Sequence, residues 1–254
     1  MAGSLRFLFC LGAVGGELTG AAARVLWENL SMEGRLGQQL KRLETAGKIV
    51  LLGEGRIDQR VVRITDEGQR VSLAEIDPPA RWARGWDRRW RIVAFDIPES
   101  STALRTRLRR RLHACRFGWL QNSVWLSPDP VEEFRAQLVE KDLVPESLTL
   151  LEATTVGGES NDAMVASAWD FTALAKSYGA YLDILRLCPG RTRGWEAWAK
   201  WLYIEHRAWR QIVRLDPFLP TELLPSGYRG QQAWAARSEA MAVLASAVAR
   251  LARG

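Results

Sequence analysis

WRIVAFDIP, residues 90–98, is an apolar and β-branched run closed by Asp96, Ile97 and Pro98, and it reads as a strand cut off by a turn. LRTRLRRRL (104–112) follows, with Leu104, Leu108 and Leu112 four residues apart, the spacing of a helix that buries one face. That helix is expected over about 101–115, with Arg105, Arg107, Arg109, Arg110 and Arg111 around the leucines. FGWLQNSVWL (117–126) reads as two short strands meeting near residues 120–123. A helix is expected from about Pro130 to Lys141, and a strand over 147–155. The order β-α-β-β-α-β is ferredoxin-like. The polar stretch GGESND (157–162) then reads as a linker.

Upstream, residues 1–76 read as three helices and a two-stranded ribbon. Ser4 is a candidate cap for a helix carrying Leu5, Leu8, Phe9 and Leu11, and residues 21–30 form a second. Ser31 is a candidate cap for the third, with Glu33 in the first turn, where a negative charge suits the helix dipole. Its apolar stripe is Leu36, Leu40 and Leu43, and Gly47 supplies a stop. Strands are expected over 49–52 and 60–64, joined by GEGRIDQ (53–59). This is the order of a winged helix-turn-helix, whose third helix enters the major groove. Arg35, Gln38, Gln39, Lys41 and Arg42 lie away from the leucine stripe, and Arg56 and Arg60 lie at the wing. Gln and Arg can grip base edges through two hydrogen bonds, and Lys and Arg neutralise phosphates. A solvated helix face would carry the same residue types.

Residues 77–89 read as a linker whose Trp82 and Trp86 are expected to pack rather than face water. Downstream, 163–187, 195–214 and 231–253 read as helices, and the prolines of DPFLPTELLP (216–225) forbid a helix between the last two. The expected fold class is α+β: a winged helix-turn-helix at 1–76, a ferredoxin-like domain at 90–156 and a helical domain at 163–254.

The 254 residues carry 35 Lys and Arg against 29 Asp and Glu, a net charge of +6, which suits a polyanionic partner. Cys10, Cys115 and Cys188 are far apart, and neither a disulfide framework nor a zinc-ligand set can be assembled from them. LRFLFCL (5–11) resembles a secretion signal only faintly, being interrupted by Arg6. No run approaches the ~20 apolar residues that cross a bilayer. A cytoplasmic protein without cofactor or metal is expected. His113 and His206 are the two histidines, with no nucleophile poised beside either. Structural roles are therefore expected of both.

Three segments together resemble the PaaX-like regulators, the family of the phenylacetic acid degradation operon repressor. They are WRIVAFDIP with LRTRLRRRL and FGWLQNSVWLSP (90–128), AWDFTALAKSYGAYLDIL (168–185) and HRAWRQIVRLDPFLPTELLPSGYRG (206–230). Leu40-Lys41-Arg42-Leu43 and Gly47 also look like that family's recognition helix and its stop. The resemblance implies a winged-helix N-terminal domain, a middle domain similar to the small CRISPR-adaptation nucleases and a helical C-terminal domain. It further implies a homodimer that represses a catabolic operon from a double-stranded DNA operator. A small-molecule effector, an acyl- or aryl-coenzyme A thioester by resemblance, would release it. Gly37-Gln38-Gln39 stand where that family has Arg followed by small residues, so the operator sequence does not carry over.

Three features admit rival readings. Asp96 occupies the place at which the nuclease relatives are proposed to bind metal, which makes a metal-dependent nuclease the alternative function. Only Glu99 is close to it in sequence, although two-metal phosphoryl transfer needs several carboxylates. The arginines of 105–111 fit a solvated face, a dimer contact or a phosphate site equally well. Trp198 and Trp201, three apart on one helix face, fit a core. They also fit an aromatic effector site to which Arg207 and Arg210 would add charge.

Overall fold

The computed structural model describes residues 7, 8, 10–12, 16–29, 34–72, 76–141, 143–145, 147–157, 159–190 and 195–251. By its contacts the chain divides into two compact units. One comprises Met1–Asp77, Ser177–Val213 and Arg229–Gly254, the other Pro78–Lys176 and Arg214–Tyr228.

In the first unit, residues 7, 8 and 10–12 are helical, with Phe7, Leu8, Cys10 and Leu11 buried. The expected cap Ser4, with Leu5 and Phe9, lies outside the described residues. Then follow β1 (Glu17–Thr19), α1 (Gly20–Asn29), α2 (Leu36–Thr45), β2 (Ile49–Leu52), β3 (Val61–Ile64) and α3 (Asp66–Ser72). The sheet has the order β1-β3-β2, antiparallel throughout, with Val62 of the central strand facing Leu18 on one side and Leu51 on the other. The sequence reading foresaw β2 and β3 but not β1, which at three residues is too short to display alternation. α2 starts later than expected. Gly34 sits at φ +87°, a left-handed conformation that no helix can run through, and Arg35 is extended just before the first turn. The expected cap Ser31 and first-turn Glu33 lie outside the described residues.

The second unit opens with α4 (Pro78–Ala83), inside the stretch read as a linker. Next come β4 (Trp90–Asp96), α5 (Thr102–Ala114), β5 (Gly118–Gln121), β6 (Val124–Ser127), α6 (Glu132–Glu140) and β7 (Ser147–Ala153), the order read from the sequence. The antiparallel sheet runs β5-β6-β4-β7. Side chains alternate along each strand, so each face of the sheet has its own core. Val93, Phe95 and Trp125 bury against Leu108 and Leu112 of α5 and Phe134 and Leu138 of α6. Trp90 and Leu126 of the other face pack with Val165, Ala168, Leu219 and Leu223.

The helix expected over 163–187 is two: α7 (Asn161–Ala168) and α8 (Phe171–Arg186). Trp169 is extended, and Asp170 Oδ1 accepts the Ala173 N–H at 2.8 Å, so an N-cap starts a new helix where the apolar pattern alone would continue the old one. α9 (Trp195–Leu215) and α10 (Gly230–Leu251) complete the chain, and α10 packs on α1 in the first unit. Among the described residues no helix is long and apolar enough to cross a membrane.

Residues 214–228 are knotted into the second unit by polar contacts. Asp216, 1% exposed, accepts the Phe218 N–H and the Tyr228 O–H, both at 2.6 Å. Trp82 is buried as expected and donates its Nε1–H to the Tyr228 oxygen at 3.1 Å, while the Thr221 hydroxyl donates to the Trp82 carbonyl. Arg84 grips Asp129 through Nε at 2.6 Å and Nη2 at 3.0 Å, and Arg81 adds a third contact. Burial pushes the Asp129 carboxyl up, but the Arg84 hydrogen bond and both guanidinium charges outweigh it and hold the group below its ordinary value.

A carboxyl depressed by folding contributes stability above its unfolded pKa, and that contribution is lost as pH falls through the folded value. Asp129→Asn should therefore unfold at lower urea than the parent chain at pH 7. The gap should close as pH falls below about 4. A gap that persists unchanged at pH 2 would mean that Asp129 contributes by shape and not by charge.

Candidate nucleic-acid interface

α2 displays two faces. Leu36, Leu40 and Leu43 are buried, whereas Arg35, Gln38, Lys41 and Arg42, three or four residues apart, form one exposed ridge. Gln39 is half-buried beside Gly34. The ridge carries three cationic side chains and one amide, all reaching into solvent.

The β2–β3 connection is shaped by Gly53 and Gly55, at φ +87° and +92°, and by a 3-10 turn over Ile57–Gln59. The Arg56 N–H donates to Gln59 Oε1 at 3.0 Å, and the Arg56 side chain is exposed. Arg60 is half-buried and spans the tip, donating Nε–H to the Gly55 carbonyl at 3.0 Å. Asp58 is held by both nitrogens of the Arg24 fork, at 2.7 and 3.1 Å, which ties the tip to α1. A Cβ built on Gly20 would lie 1.7 Å from the Ile57 carbonyl oxygen, and one on Gly37 would touch Ile57 Cδ1 at 3.4 Å. The close approach of the tip thus depends on Gly20, whereas a side chain at position 37 would meet Ile57 at an ordinary contact distance. Ile57, next to Arg56 in sequence, is the residue of the tip whose side chain lies near α2, at Gly37.

The residues singled out on α9 are only partly brought together. Trp198 and Trp201 are 1% and 5% exposed and meet edge to face at 5.7 Å, and Trp201 donates Nε1–H to the Ile184 carbonyl at 2.9 Å. At about 100° per residue, Arg207 lies half a turn from Trp198, and Arg210 half a turn from Trp201. Arg207 is exposed and Arg210 half-buried, so neither joins the tryptophan pair.

The sequence reading missed a buried charge pair on the same apolar stripe. Glu205, fully buried, accepts at Oε1 from Arg237 Nε (2.9 Å) and from the Tyr181 hydroxyl (2.6 Å). The Arg237 guanidinium lies 4.8 Å from the Trp209 ring centre and 5.5 Å from that of Trp234. Burial, with the Glu205 charge facing it, pushes the Tyr181 phenol well up, which keeps it a neutral donor. Burial and then Glu205 also push the Cys188 thiol up to about 11, so it is not a thiolate near neutral pH. The available signal was a carboxylate at position 205 of a stripe otherwise made of Trp198, Trp201, Leu202, Trp209 and Ile212.

Asp96, the last residue of β4, is exposed, and its backbone carbonyl accepts the Ser147 hydroxyl at 2.9 Å. Among the described residues no group of three or more His, Cys, Asp or Glu is arranged to hold a metal ion. His113 is exposed on α5, edge-on to Trp125 at 4.8 Å, and His206 is buried in α9.

Residues 83–165 match the family described as the PaaX protein central Cas2-like domain, and residues 169–253 the family described as the PaaX-like protein C-terminal domain. No curated protein matches the sequence. A solved structure, uncharacterized protein Rv0674 from Mycobacterium tuberculosis, is 20% identical over 96% of this chain and 95% of its own, with a TM-score of 0.65. At that identity the likeness is one of fold.

Proposed function

The chain belongs to the PaaX-like family, and from that membership we propose that it is a DNA-binding transcriptional regulator, a homodimer that represses a catabolic operon until an effector releases it. In this reading residues 1–76 form the winged helix, with α2 as the recognition helix and the β2–β3 connection as the wing. Residues 90–156 form the Cas2-like centre and residues 163–254 the helical C-terminal domain. The operator is read by Arg35, Gln38, Gln39, Lys41 and Arg42, with Arg56 and Arg60 of the wing on the backbone. The effector is an acyl- or aryl-coenzyme A thioester, with the Trp198–Trp201 pair as the aromatic element of its site.

The observation that carries this reading is the α2 ridge, exposed, basic and amide-bearing, with a wing tip docked on α1 through Arg24 and Asp58 and reaching α2 only through the Ile57 side chain. A core helix would not leave Arg35, Gln38, Lys41 and Arg42 together in solvent.

Selection of bound duplexes from random DNA, followed by binding across a salt series, tests it. The expected result is an inverted repeat bound far more tightly than random sequence. Gln38→Ala or Arg42→Ala should relax base preference at one position, at a cost of about 1–3 kcal/mol for each lost bidentate pair. Arg56→Ala should weaken all duplexes alike. Recovery of no preferred sequence would sink the regulator reading. Full specificity in all three variants would move the reading surface off α2.

A further inference from the structure

α5 is thirteen residues long and holds five arginines and no acidic residue. Several arginines outside α5 sit against carboxylates: Arg24 on Asp58, Arg63 on Glu17, Arg84 on Asp129, Arg91 on Asp87 and Arg237 on Glu205. Among the described residues, none of the α5 arginines is in an ion pair. Those with an assigned contact are held by neutral oxygens instead. Arg105 donates to the Ile97 carbonyl, Arg107 to the Lys141 carbonyl at 3.2 Å and Arg109 to the Asn122 carbonyl at 3.4 Å, while Arg111 donates to Gln137 Oε1.

A neutral acceptor orients a guanidinium without cancelling its charge, and each arginine so held keeps most of its five N–H donors. The arrangement on the helix is also ordered. Leu104, Leu108 and Leu112 face the sheet. Arg105 and Arg109 reach out on one flank, to the β4–α5 and β5–β6 connections, and Arg107 and Arg111 on the other, to α6 and the residue after it. Between the flanks the outward line is Ala103, Thr106 and Arg110, small side chains apart from one exposed arginine. The result is a low ridge with positive charge along both sides. A compact anion would need a concave cradle, whereas an exposed convex helix fits an extended polyanion whose phosphates repeat along it.

We propose that α5 is a second nucleic-acid contact, whose arginines neutralise backbone phosphates of a DNA duplex without reading its sequence. The partner's identity rests on the DNA-binding reading of the whole protein, but the site is independent of α2 and of the wing.

The experiment measures binding of the full chain to a random-sequence duplex across salt concentrations. The parent chain is compared with the triple variant Arg107→Gln, Arg109→Gln, Arg110→Gln, with the single Arg110→Glu and with the α2 variant Gln38→Ala, Arg42→Ala. Each phosphate contact contributes about 0.9 to the slope of log affinity against log salt, so the triple variant should lose about 2.7 units of slope and about 500-fold in affinity near 0.1 M salt. Arg110→Glu should move both in the same direction, with circular dichroism and urea midpoint unchanged, because the residue is exposed. The α2 variant should keep the α5 share of the slope. An unaltered slope in the triple variant, with the parent chain binding the duplex, overturns the α5 contact and leaves the regulator reading standing. Loss of inorganic pyrophosphate binding in that variant without loss of slope also overturns it, assigning the ridge to small anions. A parent chain that shows no salt-dependent duplex binding overturns both readings together.

Discussion

Arg237→Met is expected to lower the unfolding free energy by about 3–5 kcal/mol, the usual cost of stranding one partner of a buried ion pair. Glu205 is fully buried, and Oε1 takes both of its described hydrogen bonds, from Arg237 and Tyr181. Its other oxygen, Oε2, is buried without a hydrogen-bond partner among the described residues, so the site already runs one acceptor short. Without the guanidinium, the buried carboxylate is left with the Tyr181 hydroxyl. Methionine fills much of the space that Arg237 occupies over the Trp209 and Trp234 rings, which separates loss of charge from loss of volume. Urea unfolding followed by tryptophan fluorescence reads the effect. The double variant Glu205→Leu, Arg237→Met should recover most of the loss, since a well-packed apolar pair commonly matches a buried ion pair in stability. A single variant within 1 kcal/mol of the parent chain would show that Glu205 is held by something other than Arg237.

Asp216→Ala is the second large effect, about 2–4 kcal/mol, because it orphans two donors at once in a buried setting. One is the Phe218 N–H, in a residue at φ +46° with no exposed surface. A non-glycine residue held there costs of order 1–3 kcal/mol and persists only where its surroundings fix it. The other donor is the Tyr228 hydroxyl, which also accepts from Trp82. Removing the carboxylate should loosen residues 216–228 as well as lower the urea midpoint, so limited proteolysis should gain a cleavage site within that stretch. Asp216→Asn, which keeps one carbonyl oxygen for the Phe218 N–H, should cost less than alanine. Equal losses in the two variants would mean that the Phe218 contact does not govern this turn.

The central sheet was legible because its elements are long enough to display their periods. β4 is a seven-residue, largely apolar and β-branched run closed by a turn, and Leu104, Leu108 and Leu112 mark α5 without ambiguity. The α2 ridge was legible for the same reason, since a leucine stripe implies what stands opposite it. What escaped depends on contacts between distant residues or on single polar atoms. β1 exists by pairing with β3, forty-odd residues downstream, and three residues hold no pattern of their own. The break between α7 and α8 lies in a stretch apolar enough to run on, and it is decided by one carboxylate oxygen on Asp170. Glu205 and Arg237 stand 32 residues apart, and nothing local tells either that the other is opposite. Gly20 showed no role until the Ile57 carbonyl was seen against it.

The seating of Ile57 between Gly20 and Gly37 bears on how such a surface can diverge over generations. Any side chain at position 20 would collide with the backbone at 57, whereas one at 37 would meet only the Ile57 side chain at an ordinary contact distance. Position 20 therefore has to stay glycine for as long as the tip keeps its place. Arg35, Gln38, Lys41, Arg42 and Arg56 project outward and can be exchanged singly without disturbing that fit. A lineage can rewrite the lettering on this surface one residue at a time, while the relief beneath it stays fixed.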